Sequence, residues 1–347
     1  QVEPHDPAAW ATVTFVGHST FVIQTAGTTI ITDPVFSERA SPLSFVGPRR
    51  VRKPGVHIEE LPAIDLVLLS HNHYDHCDLA SLSHIAKRFS PVLVTPLGNR
   101  RMGTAAGFTR IVELDRGKLA SFPGRYADYL CDEIVPFVEA RFGCGGKGKR
   151  GVFGKSSGGY GAAYHGLTRS DFWDAISIQS GDMGFDALYI PAFFEDLNVL
   201  RKYDNSIEKM WKTLTAKPKM SFAEQVALMD CAQSAFYDPD ATQFMNMRLP
   251  FDPYTGEWIA ERWDNWLKND PVVMFDTLGE NLRKLKLVYM DCGDHDNFRI
   301  HFGMRRFAKK LKAAGIPHEY DEFDDDHMDV DYRMDVFLPK LARALSN

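Results

Sequence analysis

The 347-residue sequence predicts an α/β fold built as two consecutive parts. Three observations predict it. Short alternating or continuous apolar runs recur between loops, as strands do, and stretches of helical period fall between several of them. A Gly-x-Ser-x-Gly string, Gly154-Lys155-Ser156-Ser157-Gly158, lies between a strand-like run and a helix-like one. Far upstream, a dense polar string, His71-Asn72-His73-Tyr74-Asp75-His76, closes a buried strand.

Composition narrows the function classes. Hydrophobic residues make up 44% and charged residues 25%, the balance of a soluble globular protein. A net charge of -6 gives no electrostatic case for binding nucleic acid or an anionic membrane. The five cysteines are scattered and odd in number, which argues against a disulfide framework or a cysteine zinc site. No apolar run approaches transmembrane length and no signal peptide is visible, so a cytoplasmic location with reduced thiols is expected.

Taken in order, Ala11–Gly17 and Thr20–Thr25 alternate like strands joined by a short turn, and a third strand, from Thr28, ends at Pro34. A loop rich in Pro, Ser and Arg runs through Pro48, Arg49 and Arg50 to Pro54 and Gly55. Ile64–Ser70 is a buried strand, and the polar string follows it. Imidazoles two apart on an extended segment, His71 and His73, can face one ion, while Asp75 and His76 past the turn can reach a second. Histidine and carboxylate suit zinc and similar ions, which acidify bound water. Pro91–Thr95 and Arg110–Leu114 read as the next two strands.

Residues 11–115 resemble the start of a metallo-β-lactamase-fold hydrolase, in the branch of the UlaG-like lactonases and N-acyl-phosphatidylethanolamine phospholipase D. The resemblance rests on Gly17-His18-Ser19-Thr20, Thr32-Asp33-Pro34, the string from Ser70 to His76, and Thr95-Pro96-Leu97-Gly98-Asn99. It implies a metal site on His71, His73, Asp75 and His76, with zinc as the possible ion. That family completes its site with later His and Asp ligands. Here no histidine lies between His84 and His165, and His165 is expected to be buried in the helix after Ser156. The implied site is a half-site.

In the second part, residues 124–142 read as a helix and the Gly-rich stretch from Gly143 to Gly148 as a flexible turn. Arg150–Phe153 is a strand, and Ala162–Leu167 belongs to the helix beyond the Gly-x-Ser-x-Gly string. This order is the context of a nucleophile elbow. Ser156 would occupy the sharp turn, Gly154 and Gly158 would allow close backbone approach, and the Ser157 N–H would face a developing oxyanion. Asp174–Ser180 is the next strand. Residues 184–284 show no clear strand pattern and carry Tyr189, Phe193, Phe194, Trp211, Trp258, Trp263 and Trp266. They read as a helical cap whose large side chains pack its own core or line an apolar acyl or aryl pocket. Leu285–Met290 is a buried strand, residues 298–314 a helix, His318–Phe323 a last strand, and residues 332–345 a last helix.

From about Gly124 onward the chain resembles the esterase-D-like branch of α/β-hydrolases, similar to carboxylesterases and enterochelin-type esterases. The carrying motifs are the string from Gly154 to Gly161, Gly293-Asp294-His295-Asp296, and Asp324-Asp325-Asp326-His327. Serine, acid and histidine each follow a strand in that order. The resemblance implies Ser156 as nucleophile, His327 as base and Asp296 as the orienting acid, with Asp291 and Asp294 as competitors for that place. The family's earlier strands are missing, along with the loop that gives a second oxyanion donor.

The expected organisation is therefore a partial metallo-β-lactamase-like segment over 1–116, then an α/β-hydrolase domain over 117–347 with a cap at about 184–284. Such a chain is a chimera of two partial hydrolases, natural or made by cloning. The strands of the first part, or a homo-oligomer, would cover the open edge of the second sheet. The expected function is hydrolysis of short-chain carboxylic esters, a small-molecule substrate, with no cofactor required. The alternative is a zinc-dependent hydrolase of lactones or phosphoesters working through His71, His73, Asp75 and His76. A third reading is a fused remnant that binds ligands or partners without turnover.

Overall fold

The computed structural model describes residues 2, 11–25, 27–39, 49, 50, 53–70, 75–96, 98–114, 126–215 and 220–346. The chain divides into two compact units, one made mainly of residues 1–119 and 124–146 and the other mainly of residues 147–345. Each has its own sheet.

The first unit opens with three β-branched-rich segments, β1 (Ala11–Gly17), β2 (Thr20–Thr25) and β3 (Thr28–Thr32). They pair antiparallel, with Phe15 opposite Phe21 and Val22 opposite Ile31. From there the sheet continues in parallel through β4 (Leu66–Leu68), β5 (Val92–Pro96) and β6 (Arg110–Leu114), giving six strands in sequence order. The helices α1 (Leu79–Phe89) and α2 (Arg100–Ala105) supply the crossovers that parallel strands need. Asp78 caps α1 by accepting from the Ala80 N–H, and Ser90 ends it in the left-handed conformation. Strand alternation sends Val22, Ile31, Val67 and Leu93 to the face that buries Leu82 and Ile85 of α1. The opposite face gathers Ile30, Leu66, Val92 and Val94.

That second face is covered in part by Phe137. It belongs to α4 (Val135–Phe142), which follows α3 (Tyr126–Asp128) and a π-helical stretch, Tyr129–Ile134. The sequence reading placed this helical segment with the second part. Its Phe137 instead packs on the first sheet.

The second unit carries four parallel strands in the order β10-β9-β8-β7. These are β7 (Gly151–Lys155), β8 (Ala175–Gln179), β9 (Leu287–Gly293) and β10 (Glu319–Phe323). All five residues of β8 are buried, as expected for a central parallel strand. α5 (Ser157–Thr168) joins β7 to β8, and α12 (Ile300–Ala313) joins β9 to β10. α13 (Met334–Ser346) lies at the far end of the chain and lays Leu341 and Leu345 on Gly151, where a Cβ would come within 2.8 Å of Leu345.

Among the described residues, six α-helices stand between β8 and β9: α6 (Phe185–Leu188), α7 (Ile190–Leu200), α8 (Ile207–Thr215), α9 (Phe222–Tyr237), α10 (Ala260–Leu267) and α11 (Pro271–Leu278). The large cap side chains largely pack one another: Tyr189, Phe193 and Trp266 are fully or almost fully buried, whereas Phe194 is exposed. Among the described residues no helix is long and apolar enough to cross a membrane.

Candidate active site

β7 runs directly into Ser156, which turns the chain into α5. Ser156 adopts φ 58° and ψ -126°, a region that costs a side-chain-bearing residue free energy and persists only where its surroundings enforce it. Those surroundings are visible. The Ser156 N–H donates to the Gln179 carbonyl at 2.9 Å, and the Ser156 carbonyl accepts from Tyr160 N at 2.9 Å and Asp182 N at 3.3 Å. A Cβ on Gly154 would lie 2.5 Å from the Gly158 carbonyl, so only glycine lets β7 and α5 approach this closely. A Cβ on Gly158 itself would meet nothing within 4 Å: the need for glycine is at Gly154, and Gly158 contributes its backbone. A second close crossing, Gly159 against Gly181, joins α5 to the loop after β8, and the sequence reading missed it. Ser157 is the first residue of α5, where a helix leaves its backbone N–H groups without intrahelical partners.

Asp296 and His327 come from the loops after β9 and β10. The Asp296 carboxylate accepts from Phe298 N at 2.8 Å through Oδ1 and lies 2.6 Å from His327 Nδ1 through Oδ2. The His327 backbone N–H donates to Asn297 Oδ1 at 3.0 Å, and the Phe298 ring stands edge-on to the imidazole at 4.8 Å. Both members of the pair are buried. Gly293 explains how the two loops meet, since a Cβ there would fall 2.2 Å from the Asp325 carbonyl. The competing acids are engaged elsewhere. Asp291 pairs with Arg333 at 3.1 Å, and Asp294 pairs with the exposed His295 at 2.6 Å.

A further acid, absent from the sequence reading, stands at the same place. Asp182 is buried, and desolvation raises its carboxyl from an ordinary 3.8 to about 7. The charge of His327 pulls it down, that of Asp296 pushes it up, and the nearby hydroxyls of Ser156 and Tyr189 favour its charged form. Asp182 thus bonds to Ser156 through its backbone and feels the charges of His327 and Asp296. The signal available in the sequence was its place: Gly181-Asp182 follows β8 at the same end of the sheet as Ser156.

In the first unit, His71 and His73 lie outside the described residues, whereas Asp75 and His76 are described. His76 Nδ1 sits 2.9 Å from Asp33 Oδ2, and Asp33 is held in turn by the Ser70 N–H at 2.7 Å and the Ser70 hydroxyl at 2.6 Å. Asp75 Oδ2 lies 3.7 Å from His76 Nε2 and 3.5 Å from His18 Nε2. The candidate ligand atoms of His18, Asp75 and His76 all fall within 4.8 Å of one another. His18 entered the sequence reading only as part of a motif. It sits at the β1–β2 turn with φ 54°, a conformation uncommon for a residue with a side chain. Two imidazoles and a carboxylate, with a second carboxylate orienting one ring, form a donor set that fits zinc or a similar ion. His165 behaves as expected: burial lowers it to about 4, and its Nδ1 accepts from Trp173 Nε1 at 3.0 Å.

Residues 93–345 match the Esterase family model. The chain belongs to the Esterase family. Its amino-terminal residues 12–118 match the Beta-lactamase superfamily domain, so the two models overlap over 93–118. A Mycobacterium tuberculosis protein is 42% identical over 106 residues, covering 30% of this chain and 28% of that one. N-acyl-phosphatidylethanolamine-hydrolyzing phospholipase D 1 of Caenorhabditis elegans is 37% identical over 117 residues, covering 31% of this chain and 32% of that one. The chain thus spans a third or less of these curated relatives. Among solved structures, the S-formylglutathione hydrolase of Staphylococcus aureus aligns over 97% of this chain and 98% of that one, at 15% identity and a TM-score of 0.37.

Proposed function

We propose that the second unit is a serine hydrolase of short-chain carboxylic esters. The strained turn at Ser156 between β7 and α5, with the buried Asp296–His327 pair on the loops after β9 and β10 of the same parallel sheet, carries this reading. Ser156 attacks the acyl carbon while His327 takes its proton, and His327 then returns a proton to the departing alcohol. With Nδ1 held by Asp296, Nε2 is the nitrogen left for that transfer. The Ser157 N–H, at the positive end of α5, stabilises the oxyanion of the tetrahedral intermediate. Water then hydrolyses the acyl-enzyme by the same route. The small acyl group is supported by the cap, where Tyr189, Phe193 and Trp266 spend their apolar surface on one another.

The test is labelling with a fluorophosphonate, mapping of the modified peptide, and turnover of p-nitrophenyl acetate and butyrate. Modification at Ser156 is expected, and Ser156→Ala should lower turnover by about a thousandfold or more. A Ser156→Ala protein with full activity would overturn the assignment.

A second reading is favoured by the meeting of His18, Asp75 and His76. These residues would hold a zinc-type ion in the first unit, with Asp33 fixing the ring of His76. Such an ion, when bound, supplies an activated water for lactone or phosphoester hydrolysis.

A further inference from the structure

The reaction at Ser156 uses His327 and Asp296 but leaves unexplained the apolar side chains that lead from the imidazole out to solvent. We infer that Phe298, Phe222 and Met328 bind the leaving group of the ester, and that it is an apolar alcohol of phenylalkyl size. The inference deepens the serine-hydrolase reading and rests on it, because His327 as proton donor fixes which half of the substrate lies here.

Phe298 is placed by the same carboxylate that orients the histidine. Its N–H donates to Asp296 Oδ1 at 2.8 Å, while Asp296 Oδ2 lies 2.6 Å from His327 Nδ1. Its ring then meets the imidazole edge-on, with 4.8 Å between the centres. The ring of Phe222 follows, 6.2 Å from that of Phe298. Phe222 opens α9, and a capping box fixes that end of the helix. The Ser221 N–H donates to Glu224 Oε2 at 2.9 Å, and the Glu224 N–H donates to the Ser221 hydroxyl at 3.3 Å. Tyr203 holds the same Glu224 through Oε1 at 3.1 Å. Phe222 is nevertheless 65% exposed, and Met328, the residue after His327, is 55% exposed. Single exposed apolar side chains are ordinary on a surface. A row of rings that ends on a catalytic imidazole has a specific neighbour to serve.

The chemistry of the step says which part of the substrate this row meets. The tetrahedral carbon formed by attack joins the Ser156 oxygen, the oxyanion, the acyl chain and the leaving oxygen. The oxyanion belongs at the Ser157 N–H. When the intermediate collapses, the bond to the leaving oxygen breaks, its electron pair stays on that oxygen, and the oxygen takes the proton from His327 Nε2 to depart as a neutral alcohol. That oxygen must therefore lie within hydrogen-bonding reach of the imidazole. Its substituent starts there, and Phe298 and Phe222 are the surface beside it. A phenyl group on a short alkyl arm would remove these faces from water and meet them edge-on or offset, as aromatic rings prefer. A small, strongly hydrated alcohol would gain nothing from them.

Ethyl acetate and phenethyl acetate test this with the full chain, since they share the acyl group and release alcohols of similar acidity. Acetate release should favour phenethyl acetate by about tenfold or more in kcat/KM. Phe222→Ala should lower that ratio by about fivefold, and Phe222→Leu, which keeps an apolar side chain, should restore most of it. Damage to the catalytic groups alone would slow both esters alike and leave the ratio unmoved. A wild type without preference, yet labelled by fluorophosphonate at Ser156, overturns the inference and leaves the serine mechanism standing. Preference that survives both Phe222→Ala and its combination with Met328→Ala overturns the assignment to this row. A Phe222→Ala protein whose mass in sedimentation changes while the ratio does not would mean that a second copy covers the ring, and overturns it as well. Absence of labelling at Ser156 overturns the serine mechanism and this inference with it. The wild-type comparison decides even if a variant does not fold.

Discussion

Single residues carry the sharpest consequences. Asp296 holds His327 Nδ1 at 2.6 Å, whereas Asp294 faces the exposed His295. Asp296→Asn should therefore lower kcat/KM by about a thousandfold or more, through loss of the imidazolium's partner and tautomer. Asp294→Asn should change it by less than about twofold, and steady-state kinetics on p-nitrophenyl acetate separates the two. Asp182 makes a different claim, on stability. Its carboxyl rises from 3.8 unfolded to about 7 folded, so between those values the native state holds a proton that the unfolded chain has lost. Stability from this group is complete below pH 4 and is lost as pH rises through 7. Replacing it with asparagine should leave stability near pH 4 little changed and raise it at pH 8 by up to about 4 kcal/mol, an upper limit set by the size of the shift. Urea titrations of both proteins at pH 5 and pH 8 check the sign. Asp296 was legible in the sequence because its motif has a spacing. Asp182 was not, because its role comes from a bend that returns the chain to Ser156, and one carboxyl after a strand has no pattern of its own.

Among elements, the β7–α5 junction has the least freedom. Gly154→Ala would press a methyl to 2.5 Å from the Gly158 carbonyl, a backbone obstacle that no rotamer change relieves. We expect a loss of about 1–3 kcal/mol in denaturant unfolding, together with loss of fluorophosphonate labelling, because Ser156 leaves its enforced conformation when α5 shifts. Gly161 is the control. It lies in the same helix with nothing within 4 Å of an added Cβ, so Gly161→Ala should be tolerated or stabilise by about 0.5–1 kcal/mol. The strands were read well from their apolar runs, since parallel strands such as Ala175–Gln179 are buried on both faces and leave continuous hydrophobic segments. The helical character of the stretch between β8 and β9 was anticipated, but which helices pack on which was not. Antiparallel packing of α7 on α9 brings Asp196 to Asp230, a juxtaposition set by tertiary contact rather than by any local spacing.

At the scale of the whole molecule, the division into two hydrolase-like parts was readable because each carries its own motif string. The place of the segment from Tyr126 to Phe142 was less so: a short amphipathic helix reads alike beside either sheet, and only the packing of Phe137 reveals its partner. The two candidate sites share no residue. His18, Asp33, Asp75 and His76 belong to the first unit, and Ser156, Asp182, Asp296 and His327 to the second. Their chemistries should then separate. The purified chain is expected to bind zinc, and dialysis against a chelator should remove it while p-nitrophenyl acetate turnover and labelling at Ser156 change by less than about twofold, since no step at Ser156 uses a metal. Conversely, Ser156→Ala should leave the zinc content intact. His18→Ala should weaken zinc by about tenfold or more in a competition titration against a chromogenic chelator, because it withdraws one imidazole from the group that meets at Asp75. If chelation instead abolishes both ester turnover and labelling, the second unit depends on the metal, and the reading of two independent chemistries in one chain fails.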